Sequence, residues 1–371
     1  MYNLIPYITL SIWFICVAWL LLKTSHFYKT QSNLHSQTKF ETIDGLRGFL
    51  ALGVFFHHAA ISQQYFRTGS WDITEEYPLY HFAASVGVSL FFMITGFLFW
   101  TKVIASNGQI NTTHFFKSRI NRLVPLYFFH VFIIIILAFS VQDFQLFEQP
   151  IILSKNILSW LAFGILKQPD INQALHTYAM DAGVIWTLAY EWAFYVALPL
   201  LACFWRGRSF FLMIVVIVSY GFLVPDVTNI KLFAYGMVAA YLVQNFSLQT
   251  IVMTRWCSLI ACLLLILAYQ VMHFKAELFF LFFMLVVYGN PLFGILTSTP
   301  AKLLGTISYS IYLLQGAVIY LVFHVINRYS FISELQPPAF LLATALCGTL
   351  LIVISAMTYR FVEAPFLVRS S

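Results

Sequence analysis

Arg47 and His58 stand eleven positions apart in an otherwise largely apolar stretch, Asp44-Gly-Leu-Arg-Gly-Phe-Leu-Ala-Leu-Gly-Val-Phe-Phe-His-His. On a helix, about 100° per residue brings the two side chains within roughly 20° of one face, and about 1.5 Å of rise per residue separates them by roughly 16 Å. That alignment predicts a guanidinium at the mouth and an imidazole deep inside, both opening into one cavity, with His57 about 100° off the line. An imidazole so placed suits general-base work; the plainer alternative is a hydrogen bond to a neighbouring helix. Arg119 and Arg122, in Phe115-Phe-Lys-Ser-Arg-Ile-Asn-Arg-Leu-Val-Pro125, are three apart and so are neighbours on a helix face. Paired planar guanidinium groups can grip phosphate bidentately, although a basic flank of a membrane span reads the same way. Glu191, in Trp186-Thr-Leu-Ala-Tyr-Glu-Trp-Ala-Phe-Tyr195, lies about 9 Å below the outer end of its own helix, a depth similar to that of His58. A carboxylate beside His58 would orient the ring and raise its basicity; the alternative is an interhelical hydrogen bond.

The elements that position these groups must sit in lipid. Hydrophobic residues make up 61% of the 371 residues and charged ones 9%, with a mean hydropathy of +0.83. Soluble domains carry about 25% charged residues, so the composition excludes a soluble enzyme, a nucleic-acid binder and a disordered chain. A net charge of +6 is explained by positive-inside topology without a nucleic-acid partner. Cys16, Cys203, Cys257, Cys262 and Cys347 lie in apolar runs without metal spacing, so buried unpaired thiols are expected and no metal.

The fold class expected is all-α, a polytopic transmembrane bundle. Spans of about 20 apolar residues fall near 4–22, 46–65, 82–101, 123–141, 185–205, 209–225, 230–246, 256–272, 276–293, 304–327 and 339–360. Residues 151–166 are short and interrupted by Lys155 and Asn156, and read as interfacial or re-entrant. Eleven spans with the N-terminus outside put Lys23, Lys29, Lys39, Arg47, Lys102, Lys117, Arg119, Arg122, Arg206, Arg208, Arg255, Lys302, Arg360 and Arg369 inside. Fewer basic residues fall outside (Arg67, Lys155, Lys167, Lys231, Lys275, Arg328), together with most of the acidic ones, Asp181 among them. The C-terminus is then cytoplasmic. Residues 1–40 read as an anchor helix with a polar linker, residues 41–371 as the membrane domain, and no soluble domain is expected after it.

The same segments resemble the acyltransferase-3 family, membrane proteins that O-acylate surface glycans and other acceptors. Ile43-Asp-Gly-Leu-Arg-Gly48 with His58 is similar to the family's opening motif, and Gly87-Val-Ser-Leu-Phe-Phe92 through Thr95-Gly-Phe-Leu98 to its next signature. The double-arginine segment up to Pro125, Trp186-Thr-Leu188 with Glu191, Phe194 and Tyr195, Gly305-Thr-Ile-Ser-Tyr309-Ser-Ile-Tyr312-Leu, and Tyr359-Arg-Phe-Val-Glu-Ala-Pro365 complete the order over residues 43–366. The resemblance implies transfer of an acyl group, commonly acetyl, from cytoplasmic acetyl-coenzyme A to a hydroxyl of a glycan or lipid-linked sugar. It implies Arg119, Arg122 and Arg47 as holders of the coenzyme A phosphates, and His58 as the base or an acyl-carrying relay. Tyr195 and Tyr309, in the matched motifs, are expected at the substrate. Two departures stand out. Gln315, which cannot titrate, occupies a region where many members carry histidine, and the helix at 4–22 is additional to the family core. A bacterial inner membrane follows as the expected location, with lipids as partners. A transporter or flippase that moves a substrate without bond chemistry is the rival from another class, since buried charges serve transporters equally well; a structural scaffold is the third reading.

Overall fold

Apolar runs with helical spacing become helices throughout, and no strand occurs among the described residues. The computed structural model describes residues 4–35, 40–72, 77–224, 229–271, 275–329, 335 and 337–367. Lys39, Glu75, Glu76, Asp226, Glu334 and Arg369 lie outside the described residues, as does the side chain of Arg328. In chain order the helices are α1 (Leu4–Thr24), α2 (His26–His35), α3 (Glu41–Thr68), α4 (Pro78–Ala105), α5 (Thr112–Val141), α6 (Pro150–Trp160), α7 (Thr177–Asp181) and α8 (Trp186–Leu201). There follow α9 (Gly207–Leu223), α10 (Ile230–Asn245), α11 (Gln249–Val252), α12 (Arg255–Gln270), α13 (Lys275–Val287), α14 (Thr299–Thr306), α15 (Ser308–Tyr329) and α16 (Pro337–Thr358). A π-helical turn, Tyr359–Glu363, leads into α17 (Ala364–Leu367). Local chemistry sets several boundaries: Asn111 accepts the amide of His114 at 3.0 Å to start α5, and α3 stops at Gly69, whose φ of 76° is left-handed.

Each of the eleven expected segments is helical, but they are not alike. Among the described residues, six helical stretches are long and apolar enough to cross a membrane: Leu4–Thr24, Pro78–Ala105, Thr112–Val141, Trp186–Phe204, Ser308–Asn327 and Pro337–Leu367. The others, α3, α9, α10, α12 and α13, are shorter or more polar. For α3 the reason is burial. Its neighbours α4, α14 and α15 cover it along most of its length, so its polar groups meet protein and not lipid. The span expected at 304–327 is divided at Ile307 into α14 and α15, and residues 151–166 form an eleven-residue helix and a turn rather than a span. That segment is pinned from within, because the Tyr127 hydroxyl donates to the Trp160 carbonyl and itself accepts from the Phe163 amide at 3.1 Å.

The most extensive helix contact, α4 on α10, is a contact of backbones. A Cβ on Gly96 would meet the Phe233 carbonyl oxygen at 2.2 Å, and one on Gly236 the Met93 carbonyl oxygen at 2.1 Å. Small residues let membrane helices approach this closely. The helix α1 is part of the bundle: Phe14 is fully buried, packed on Phe55 and Phe56, and the Trp13 indole donates to Thr349 Oγ1 at 2.9 Å. The cysteines correct one expectation. All five are free, but only Cys347 is buried; Cys16, Cys203 and Cys262 are exposed and Cys257 is partly so. In a membrane bundle apolar sequence marks the outer surface as well as the core, so an apolar setting does not imply burial.

Candidate functional site

Six of the residues singled out by spacing and resemblance, Arg47, Arg119, Arg122, Glu191, Tyr195 and Tyr309, line a single cavity of about 440 Å³. Six helices, α14 through Thr306 alone, and the chain's closing segment supply its wall. Helix α3 contributes Arg47, α4 an apolar strip ending in Lys102, α5 the two arginines, α8 Thr187 and Glu191, and α15 Tyr309 and Tyr312. Two sequence motifs are locked together beside it, because a Cβ on Gly305 would meet the Asp44 carbonyl oxygen at 1.6 Å. The approach of α14 fixes the start of α3, and with it Arg47.

Glu191 is the electrostatic centre of the cavity. It accepts a hydrogen bond from the Tyr195 hydroxyl at 3.0 Å, and Arg119, Arg47 and Arg122 all act on its carboxylate. Arg119 lies over the Phe99 ring at 4.9 Å and reaches toward the same tyrosine hydroxyl, while its Nε is buried without a hydrogen-bond partner among the described residues. Arg122 stands 5.6 Å from the centre of the Tyr309 ring, and the Tyr309 hydroxyl donates to the Leu123 carbonyl at 2.9 Å. A site that gathers three guanidinium groups around one carboxylate can hold a polyanion and stabilise developing negative charge.

His58 is placed differently from the expectation. It does not line this cavity, and it is not paired with Glu191, which interacts with the arginines and Tyr195. Helical phase fixed the face of α3 on which His58 stands, but the packing of α15 decides what that face meets. The ring lies beside Gln315, and its Nδ1 is buried and unbonded, as is Gln315 Oε1. Gln315 Nε2 donates to the Tyr312 carbonyl at 2.8 Å, and Tyr312 lines the cavity with its hydroxyl 3.0 Å from Thr187 Oγ1. Tyr312 in the cavity wall and Gln315 beside His58 are therefore three residues apart on α15, about 4.5 Å of rise. On its other side His58 neighbours His57 (ring centroids 5.3 Å apart), which in turn neighbours His81 at 5.1 Å.

Sequence reasoning missed three groups. Lys102 lines the cavity but was read only as a basic flank. Glu363, 1% exposed, pairs with Arg122 at 3.0 Å and accepts from the Ser310 hydroxyl. Asp181, assigned to an outer acidic loop, is 1% exposed and bonds His130 Nε2 at 2.7 Å. A histidine amid the apolar residues of α5 was the available signal for the last.

Comparison with known proteins follows the same lines. A family profile described as an acyltransferase domain matches residues 40–358. The chain is 30% identical to Nodulation protein 10 of Rhizobium leguminosarum bv. viciae over 193 residues, 47% of each chain. It is 22% identical to O-acetyltransferase OatA of Staphylococcus aureus (strain NCTC 8325 / PS 47) over 389 aligned positions, 91% of this chain and 59% of that one. It thus spans roughly half to three-fifths of the length of these relatives. No solved structure matches the chain significantly. With most of its length inside the family profile and residues of all six motif segments gathered at one cavity, the chain belongs to the acyltransferase-3 family of multi-pass membrane proteins.

Proposed function

We propose that this protein is a membrane O-acyltransferase that moves an acetyl group from cytoplasmic acetyl-coenzyme A to a hydroxyl of a surface glycan or lipid-linked sugar. The reaction is assigned to residues 41–371, with residues 1–40 as a flanking anchor and linker, in the inner membrane of a bacterium. The observation that carries the reading is the cavity itself, which gathers guanidinium groups and Glu191 and is lined by Tyr312, three residues along α15 from the Gln315 that lies beside an unbonded histidine nitrogen. The arginines offer phosphate-binding donors, and the apolar strip of α4, which includes Phe91 and Phe92, suits the uncharged arm of the donor. Tyr195 and Tyr309 face the same space and position the substrate.

His58 takes the proton from the acceptor hydroxyl as its oxygen attacks the thioester carbonyl. The carbon–sulfur bond breaks, and the thiolate takes the proton back from the imidazolium. Hydroxyl and thioester thus become ester and thiol, with no oxidant, metal or further reactant in the balance. Arg47, at the α3 wall of the cavity, stabilises the oxyanion of the tetrahedral intermediate. Membranes carrying the protein, supplied with acetyl-coenzyme A labelled in the acetyl group, are expected to accumulate label in their glycan or lipid fraction. Intact donor with no label transferred, beside movement of a sugar or lipid across the bilayer, would establish the transporter instead.

A further inference from the structure

Beyond Arg47, the cationic groups of the cavity differ in whether a carboxylate pairs with them. Arg122 already has its counter-ion: Nη1 is 3.0 Å from Glu363 Oε2, with the two side chains 16% and 1% exposed. Glu363 sits in the π-helical turn and also accepts from Ser310 on α15, so Arg122 ties the closing segment of the chain to α5 and α15. Lys102 and Arg119 are in the opposite condition. Among the described residues no carboxylate forms an ion pair with either, and the two act on each other electrostatically. Both address one aromatic ring, Arg119 at 4.9 Å and Lys102 at 5.6 Å from the centre of Phe99. Lys102 is exposed at the rim, and Arg119 keeps a buried Nε–H without an acceptor.

The last turn of α4 also favours a cation at Lys102 through the helix dipole. The dipole does not explain a second cation held against the same ring with a donor unsatisfied. Two like charges beside one aromatic ring, neither in ion-pair contact with a carboxylate, form a receptor for an anion that arrives from outside the chain.

Resting on the acyl-coenzyme A reading above, we infer that Lys102 and Arg119 are the clamp for the donor's phosphate groups, and that Arg122 is a positioning residue that does not touch the donor. This separates the two arginines that spacing and resemblance treat as one phosphate grip. It also adds a residue from α4 that neither spacing nor resemblance singled out.

The test compares acetyl-coenzyme A with acetyl-pantetheine, which carries the thioester but no phosphate, using purified full-length protein in lipid. Lys102→Ala and Arg119→Ala are expected to raise KM for acetyl-coenzyme A by about ten- to hundredfold, the weight of a charge-assisted hydrogen bond, and so to lower the preference for acetyl-coenzyme A over acetyl-pantetheine by a similar factor. Lys102→Arg keeps the preference for acetyl-coenzyme A. Arg122→Gln, and the near-isosteric Glu363→Gln should the former fail to fold, are expected to lower turnover of both donors alike. Exchanging the pair, Arg122→Glu with Glu363→Arg, recovers part of that loss. Unchanged donor discrimination in Lys102→Ala and Arg119→Ala overturns the clamp, and so does a loss confined to acetyl-coenzyme A in Arg122→Gln or Glu363→Gln. An unmodified protein that consumes neither donor overturns the acyltransferase reading itself, an outcome distinct from active protein with unchanged discrimination.

Discussion

Two histidines in this bundle differ in their partners, and the proposed roles differ with them. His130 is fully buried and bonded to Asp181 at 2.7 Å, whereas His58 keeps an unbonded Nδ1 beside an amide that cannot titrate. His130→Ala strands a buried carboxylate. It is expected to destabilise the fold by about 3–5 kcal/mol, read as a lowered unfolding midpoint, while the surviving protein still turns over. His58→Ala reverses the pattern, with a near-normal unfolding midpoint and acyl transfer reduced by about 10²- to 10⁴-fold, the range for loss of a general base. Retained transfer would remove His58 from the chemistry. Glu191→Gln keeps the shape and an acceptor for Tyr195 but leaves Arg119, Arg47 and Arg122 without its charge. A loss in kcat of about a hundredfold is expected, and a near-normal rate would reduce Glu191 to packing. These residues were legible because an ionisable side chain in an apolar helix is expensive and draws notice. Their partners were not legible. Helical phase gives the face of one helix but not the helix it meets, so the expected His58–Glu191 pair is absent and the His130–Asp181 and Arg122–Glu363 pairs went unforeseen.

At the scale of elements, the site depends on how closely helices approach. The Gly96–Gly236 crossing brings α10 onto α4, the helix that carries the apolar wall and Lys102. Gly236→Leu must displace backbone on both helices and is expected to lower stability by about 1–3 kcal/mol or more, with a fall in donor affinity as α4 shifts. Unaltered unfolding and unaltered KM would show that α10 does not position the wall. Element existence was legible from apolar run length, and all eleven expected segments are helical. Element character was less so. The polar content of α3 is tolerable because protein surrounds it, and the break between α14 and α15 at Ile307 arises where α14 buries both its apolar residues and Lys302, held by Glu41 at 3.0 Å. Neither circumstance is written in hydropathy.

For the whole molecule, the orientation proposed from charge asymmetry turns the arginine cluster toward the cytoplasm, the side of the proposed donor. Sealed vesicles with the cytoplasmic face outward are therefore expected to react with added acetyl-coenzyme A, which does not cross lipid. Vesicles of the opposite orientation should react only once permeabilised. The reverse sidedness would invert the topology and take the arginine cluster away from the donor. The central claim is that this cavity spends an acyl thioester, and the most direct measurement is thiol release from acetyl-coenzyme A. Purified protein in lipid extracted from its own membranes, which brings native acceptors, would be run beside His58→Ala and Glu191→Gln. The account predicts steady release of free coenzyme A by the unmodified protein and its loss in both variants. Release that survives both substitutions, or none from the unmodified protein with acceptor present, would contradict it.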